Sequence, residues 1–252
     1  ELLPKSEPDK TSTWLLLAEK GPLADALLEA LSTRGHVVRV QAAAAFRRIS
    51  PELYEVNPAS REDYASLMKD MQATGRWPDR IVHAWMPNAG VEVSLDNVLD
   101  RSIFSIMFLA QAAEESSSSK PIELNIVNDR AYSVLGEEVS SPAQSALNAY
   151  CKGIALECPN ITCRAIDIDF ESNPDAIVRQ LVGELISVAS NEIVAYRGSA
   201  RWLQQYDPIR LEKPVPSESV SLSASLKNER RISFRTGGTY WITGGLGGVG
   251  LV

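Results

Sequence analysis

The chain is poor in the residues that ordinarily carry metal or nucleophilic chemistry. Its 252 residues include three cysteines and two histidines. Cys151, Cys158 and Cys163 form no C-x-x-C pair, and His36 and His83 stand far from them and from each other in sequence. A zinc site needs four well-placed ligands, so the cysteines read as small buried hydrophobes and no metal is expected. His83 lies inside the apolar run RIVHAW and reads as a core histidine with a hydrogen-bonded partner. Positive charge is short as well: 25 Lys and Arg against 32 Asp and Glu give a net charge of −7, with the two signs interspersed. That balance offers no footprint for a nucleic-acid backbone or an anionic membrane, so neither is an expected partner. The uncharged stretch Ser102 to Ala113 falls short of the ~20 residues of a membrane span. The opening ELLPKSEPDKTS is polar and proline-punctuated, unlike a signal peptide, and the expected location is cytoplasmic.

What is present is an alternation of short apolar runs with helical periodicity, the pattern of a parallel sheet with helices on its faces. WLLLA (14–18), HVVRV (36–40), RIVHAW (80–85), IELNIV (122–127), ITCRAIDI (161–168) and EIVAYR (192–197) read as strands. Between them lie helices. Leu23, Leu27 and Leu31 make one stripe, with Ala24 and Leu28 beside it and Gly35 where the helix stops. Tyr64, Leu67, Met68 and Met71 mark a second helix over 61–74, ended by Gly75. A long third helix takes Ser94 as N-cap and Leu95, Val98, Leu99, Ile103 and Ile106 as its inner face. Residues 144–157 are helical, and Asn173-Pro174 opens a last helix with the stripe Ile177, Leu181, Leu185 and Val188. The serine run at 116–119 reads as a solvated helix-to-strand loop. The fold class is α/β: a Rossmann-like, doubly wound, mostly parallel sheet of about six strands.

Composition then changes. LEKPVPSESVSLSASLKNER (211–230) has no long apolar run and reads as an exposed linker, beyond which RISF and TYWIT restart strand chemistry. Residues 1–12 form an N-terminal extension, 13–210 the Rossmann-like body, 211–230 the linker, and 231–252 the start of a second domain.

The first sheet lacks the loop that a nucleotide-binding Rossmann sheet needs. Its first turn, AEKGPLA (18–24), has one glycine, brings Glu19 toward an anionic ligand, and spends a backbone donor on Pro22. Tyrosine-based reductases place lysine or asparagine four residues after the catalytic tyrosine, on the same helix face. None of the seven tyrosines, Tyr54, Tyr64, Tyr132, Tyr150, Tyr196, Tyr206 and Tyr240, has either. Tyr150 and Lys152, two apart, point to different faces and read as a partly exposed aromatic and a surface cation. No serine sits in a nucleophile elbow, and Asp167 and Asp169 at a strand end read as acceptors of loop hydrogen bonds. The terminal segment is different. Thr243, Gly244, Gly245, Leu246, Gly247, Gly248, Val249 and Gly250 come directly after the apolar strand 240–243 and satisfy both T-G-x-x-x-G-x-G and G-x-G-x-x-G. They read as a phosphate loop.

A glycine-poor Rossmann-like sheet, a linker and then strand-TGGLGGVG resembles the ketoreductase domain of modular polyketide synthases. The residues carrying the resemblance are RIVHAWMPN (80–88), LGEEVSSPAQSALNAYCKGIALECPNITCRAIDID (135–169), IVAYRGSARWLQQYDPI (193–209) and GGTYWITGGLGGVG (237–250). The resemblance implies that residues 13 to about 210 are a non-catalytic structural subdomain. It braces a catalytic short-chain-dehydrogenase subdomain of the same polypeptide, of which only the first strand and glycine loop are present. Gly244, Gly248 and Gly250 match the family's cofactor glycines and Thr243 the threonine before them. The intact domain would reduce a β-ketoacyl thioester held on an acyl carrier protein, with NADPH as hydride donor and with further synthase domains as neighbours. The family's catalytic lysine, serine, tyrosine and asparagine have no counterparts here, so the chain alone is expected to be inactive. Two alternatives are a non-catalytic scaffold beside another domain such as a methyltransferase, and a free-standing small-molecule binder. Continuation of the parent gene into a tyrosine motif, continuation without one, or an immediate stop would distinguish the three.

Overall fold

The computed structural model describes residues 12–85, 94–116, 120–136, 142–170, 173–188, 190, 192–208, 236–241 and 243. The chain divides into two units, Glu1–Tyr206 and Asp207–Val252.

The first unit is one sheet of nine strands. In chain order they are β1 (Thr13–Leu17), β2 (His36–Ala42), β3 (Arg47–Ser50), β4 (Leu53–Val56), β5 (Arg80–His83), β6 (Ile122–Asp129), β7 (Ile161–Ile168), β8 (Ile193–Arg197) and β9 (Ala200–Leu203). The helices are α1 (Pro22–Ser32), α2 (Arg61–Ala73), α3 (Leu95–Leu99), α4 (Ser105–Glu115), α5 (Pro142–Glu157) and α6 (Pro174–Leu185). Across the sheet the order is β3-β4-β2-β1-β5-β6-β7-β8-β9. All neighbours are parallel except the two edge pairs, β3 with β4 and β8 with β9. Strand order thus reverses at β1, which puts the ligand crevice of an open α/β sheet outside the carboxyl ends of β1, β2 and β5.

The doubly wound reading holds, and each face has its own core. On one side Leu15, Leu17, Val38, Val40, Leu124 and Ile126 pack under α2, α4 and α5; on the other Trp14, Leu16, Val82 and Ile166 pack under α1 and α6. Side chains alternate between the faces because successive strand residues point opposite ways. The two extra members of the edge pairs, β3 and β9, and the short parallel strand β4 raise the count above the expected six. Each is four residues long, too short for periodicity to mark.

Two helix-end glycines behave differently. Gly75 takes φ 69° and closes α2 in the left-handed conformation that favours glycine. Gly35 has another reason: a Cβ there would stand 2.4 Å from the Ser12 carbonyl oxygen and 2.9 Å from Trp14. That carbonyl accepts from His36 N at 2.9 Å, so the glycine lets the chain entering β2 close on β1.

The long third helix is interrupted. Ser94 caps it as expected, accepting from Asn97 N at 3.3 Å, but a π-turn, Asp100–Phe104, separates α3 from α4. The extra residue rotates the inner face. Ser102, Ser105, Ile106 and Leu109 are buried, while Leu95 is 65% exposed and Val98, Leu99 and Ile103 are half-buried. In α6, Ile177, Leu181 and Leu185 are buried as expected, but Val188 lies past the helix end and is half exposed.

In the second unit, residues 238–241 form no strand, and Trp241 is almost fully exposed. The strand expected over 240–243 is not formed at its described residues Tyr240 and Trp241. A strand needs a neighbour for its N–H and C=O groups, and among the described residues none pairs with it.

Candidate functional site

The carboxyl edge of the first sheet is where ligand chemistry would be placed, and its first turn is built against phosphate. Gly21 is extended, Pro22 opens α1, and no side chain caps the helix. Arg39, buried on β2, is held against that turn. Its Nη2 donates to the Glu19 carbonyl at 2.6 Å and its Nη1 to Asp25 at 2.9 Å, with Nε 3.4 Å from the Ala18 carbonyl. Glu19 in turn pairs with Arg101 at 2.7 Å. The turn therefore presents carbonyls to a guanidinium, where a nucleotide loop presents N–H groups to an anion. Beside it, a cavity of about 230 Å³ opens among Ala42, Ala43, Asn57, Asn97, Asp100 and Arg101.

Further along the edge, the loop after β6 is fixed from below. Asp167, fully buried on β7, accepts from Ala131 N at 2.7 Å and Tyr132 N at 3.3 Å and pairs with Arg197 at 2.8 Å. It is the acceptor of loop hydrogen bonds that its sequence position suggested. Burial pushes its carboxyl upward, while those donors and Arg197 pull the other way. His83, at the end of β5, is likewise a core histidine: its Nε2 lies 2.7 Å from Ser105 Oγ, and desolvation lowers its pKa to about 3. It is neutral at physiological pH and cannot act there as an acid. Cys151 and Cys163 are buried, Cys158 is half-buried, and none of the three is in a disulfide.

Tyr150 and Lys152 diverge as expected. The tyrosine packs on the core beneath α5, and the lysine donates to Tyr206 Oη at 2.6 Å and Gln204 Oε1 at 2.9 Å. Sequence reasoning missed the polar residues that α5 does turn inward. Gln144 and Asn148, four residues apart, are 5% and 0% exposed, and Asn148 accepts from the fully buried Asn128 of β6. The signal was available: Gln144, Leu147, Asn148 and Cys151 occupy a continuous i, i+3, i+4, i+7 stripe that should be wholly apolar.

Of the sequence-predicted cofactor residues, Thr243 is described, in an exposed turn. Gly244, Gly245, Leu246, Gly247, Gly248, Val249 and Gly250 lie outside the described residues.

The sheet order and the two helical layers define a Rossmann-like, doubly wound α/β protein. The family model described as "Beta-ketoacyl synthase-like, N-terminal" matches residues 12–185, and the chain belongs to that family. Its relatives include a phenolphthiocerol/phthiocerol polyketide synthase of Mycobacterium tuberculosis (strain CDC 1551 / Oshkosh), 24% identical over 267 aligned positions that cover 99% of this chain. A phenolphthiocerol/phthiocerol polyketide synthase of M. tuberculosis (strain ATCC 25618 / H37Rv) matches equally. The chain spans 13% of the length of these relatives. Among solved structures, one of a keto acid-selecting NRPS module containing adenylation, ketoreductase and pseudo Asub domains aligns at TM-score 0.68 and 18% identity, over 79% of this chain and 17% of that one. An N-terminal ketoreductase from a macrolactin assembly line aligns at 0.60 and 19%, over 83% and 44%. A Serratia marcescens short-chain dehydrogenase/reductase aligns at 0.56 and 15%, over 76% and 98%.

Proposed function

We propose that residues 13 to about 210 are the structural subdomain of a polyketide synthase ketoreductase, bracing a catalytic subdomain of the same polypeptide. Residues 211–230 are the linker, and 231–252 begin the catalytic subdomain, with Thr243 to Gly250 as its phosphate loop. The intact domain reduces a β-ketoacyl thioester on an acyl carrier protein. NADPH, when bound to it, supplies the hydride. The observation that carries this reading is the Arg39 clamp: the first turn turns its carbonyls and Asp25 to a guanidinium and opens its helix on Pro22, which has no N–H to offer a pyrophosphate. The absence of any tyrosine with lysine or asparagine four residues on supports the same conclusion for catalysis, as does the likeness to polyketide synthases.

The test uses the parent polypeptide that carries this chain, with NADPH fluorescence and β-ketoacyl thioester reduction as readouts. Gly248→Val should abolish both. Gly21→Ala, which meets nothing within 4 Å, should leave both intact, and the present chain alone should show no turnover. Loss of NADPH binding in Gly21→Ala with retention in Gly248→Val would place the cofactor on the first sheet and overturn the assignment.

A further inference from the structure

The two edges of the sheet are finished differently. An edge strand presents a row of unpaired N–H and C=O groups, which soluble proteins blunt with charge or a bulge. β3 carries both devices: Arg47 and Arg48 stand on it, and Ile49 is the extra residue of a bulge between Arg48 and Ser50. β9 pairs without a bulge, and its one charged side chain, Arg201, is drawn away to the buried Glu184. Trp202 and Leu203 beside it are exposed, as is Tyr206. The edge is also fastened past its last paired residue. Gln204 N donates to Ile193 O at 3.2 Å, and Lys152 of α5 donates to Gln204 Oε1 at 2.9 Å and Tyr206 Oη at 2.6 Å. Hydrogen-bonding directions alternate along an antiparallel strand. With Gln204 N turned to β8, the N–H and C=O groups of Arg201 and Leu203 face away from the sheet. Among the described residues no strand takes them.

Such an edge accepts one class of partner, an extended backbone. Four residues are too short to capture a free one. A stable pair of separate proteins buries about 1,200–2,000 Å², far more than two such strands supply, which argues against a second copy of the chain. A tether removes that demand, because a partner on the same polypeptide is present at an effective concentration of about a millimolar. Tyr206, at the end of this edge, leads within a few residues into the linker 211–230. We propose that the β9 edge, with Trp202, Leu203 and Tyr206, is the docking surface for a strand of the catalytic subdomain. The assignment rests on reading residues 13 to about 210 as a structural subdomain, and it names the surface through which bracing acts.

The experiment is amide hydrogen exchange of the segment Ala200–Gln204, read by mass spectrometry in the present chain and in the longer polypeptide that carries it. NADPH-dependent reduction of a β-ketoacyl thioester by the longer polypeptide is measured alongside. The outward amides of Arg201 and Leu203 should exchange at least about tenfold more slowly in the longer polypeptide, while the β3 edge exchanges alike in both. Leu203→Pro removes an outward N–H that β8 does not use, a substitution edge strands tolerate. In the longer polypeptide it should return the segment to the exchange rate of the present chain. In the present chain it should lower the melting temperature by no more than about 3 °C. Equal exchange of Arg201 and Leu203 in the two proteins overturns the docking, and with reduction intact it does so without touching the ketoreductase reading. Protection without reduction keeps the docked strand and overturns the catalytic reading instead. A fall of more than about 5 °C in the present chain would mean that the Leu203 N–H serves its own sheet, and overturns the assignment.

Discussion

A buried histidine on a sheet of hydrophobic strands is a proton counter. His83 is 1% exposed, is held neutral against Ser105 Oγ, and has its pKa lowered from 6.5 to about 3 by desolvation. The unfolded chain takes up a proton near pH 6.5 that the folded chain refuses until about pH 3. The stabilisation is therefore complete above pH 6.5 and is lost as pH falls through that window. At pH 5 the loss amounts to about 2 kcal/mol. Replacing the imidazole by a group that reaches Ser105 but does not titrate, His83→Gln, should flatten the decline of the denaturant midpoint between pH 6.5 and 4.5 by the equivalent of one proton. Parallel curves for parent and variant would show that the acid sensitivity arises elsewhere. The same residue shows what was legible locally: an apolar setting identified His83 as core from sequence, but its partner Ser105 lies on a helix whose phase the sequence concealed.

That concealment belongs to the element. A helix of unbroken 3.6-residue period would bury Leu95, Val98, Leu99, Ile103 and Ile106 together, whereas the π-turn at Asp100–Phe104 inserts a residue and delivers Ser102 and Ser105 to the interior. The two readings differ in measurable stability. Leu95, 65% exposed, should tolerate Leu95→Gln within about 0.5 kcal/mol, while Leu109→Ala, at a fully packed position, should cost about 2–5 kcal/mol. A large loss for Leu95→Gln by chemical denaturation would restore the uninterrupted helix. Where the pattern was long and regular, as in α1, α2, β6 and β7, the sequence marked the element to within a residue or two. It missed β3, β4 and β9 because each is short and two are edge strands, whose side chains need not alternate when one face meets solvent. It missed the burial of Gln144 and Asn148 because amides read as surface until a partner strand, as Asn128 does for Asn148, comes against them.

At the scale of the whole chain, the sheet order and two-sided packing arise from alternating apolar runs and helices, so the Rossmann-like class was legible throughout. The stretch at 238–241 was not, because hydrophobic content specifies a strand only where a neighbouring strand is available. The boundary between the two units gives the last test. Within the first unit Arg39, Arg80, Arg164 and Arg197 are buried and bonded to carbonyls or carboxylates. Between positions 210 and 231 the sequence offers Arg210, Lys213, Lys227, Arg230 and Arg231 among serines and prolines. A protease needs an extended segment of several residues, which a paired strand or packed helix yields only by local opening. Dilute trypsin should therefore cut first between 210 and 231. It should leave a fragment that ends there, retains its helical circular dichroism and shows the same pH dependence of stability as the intact chain. Mass spectrometry of a time course reads the order of cuts. A first cut within 13–208, or a fragment that unfolds once 211–252 is removed, would mean that the sheet depends on that C-terminal segment.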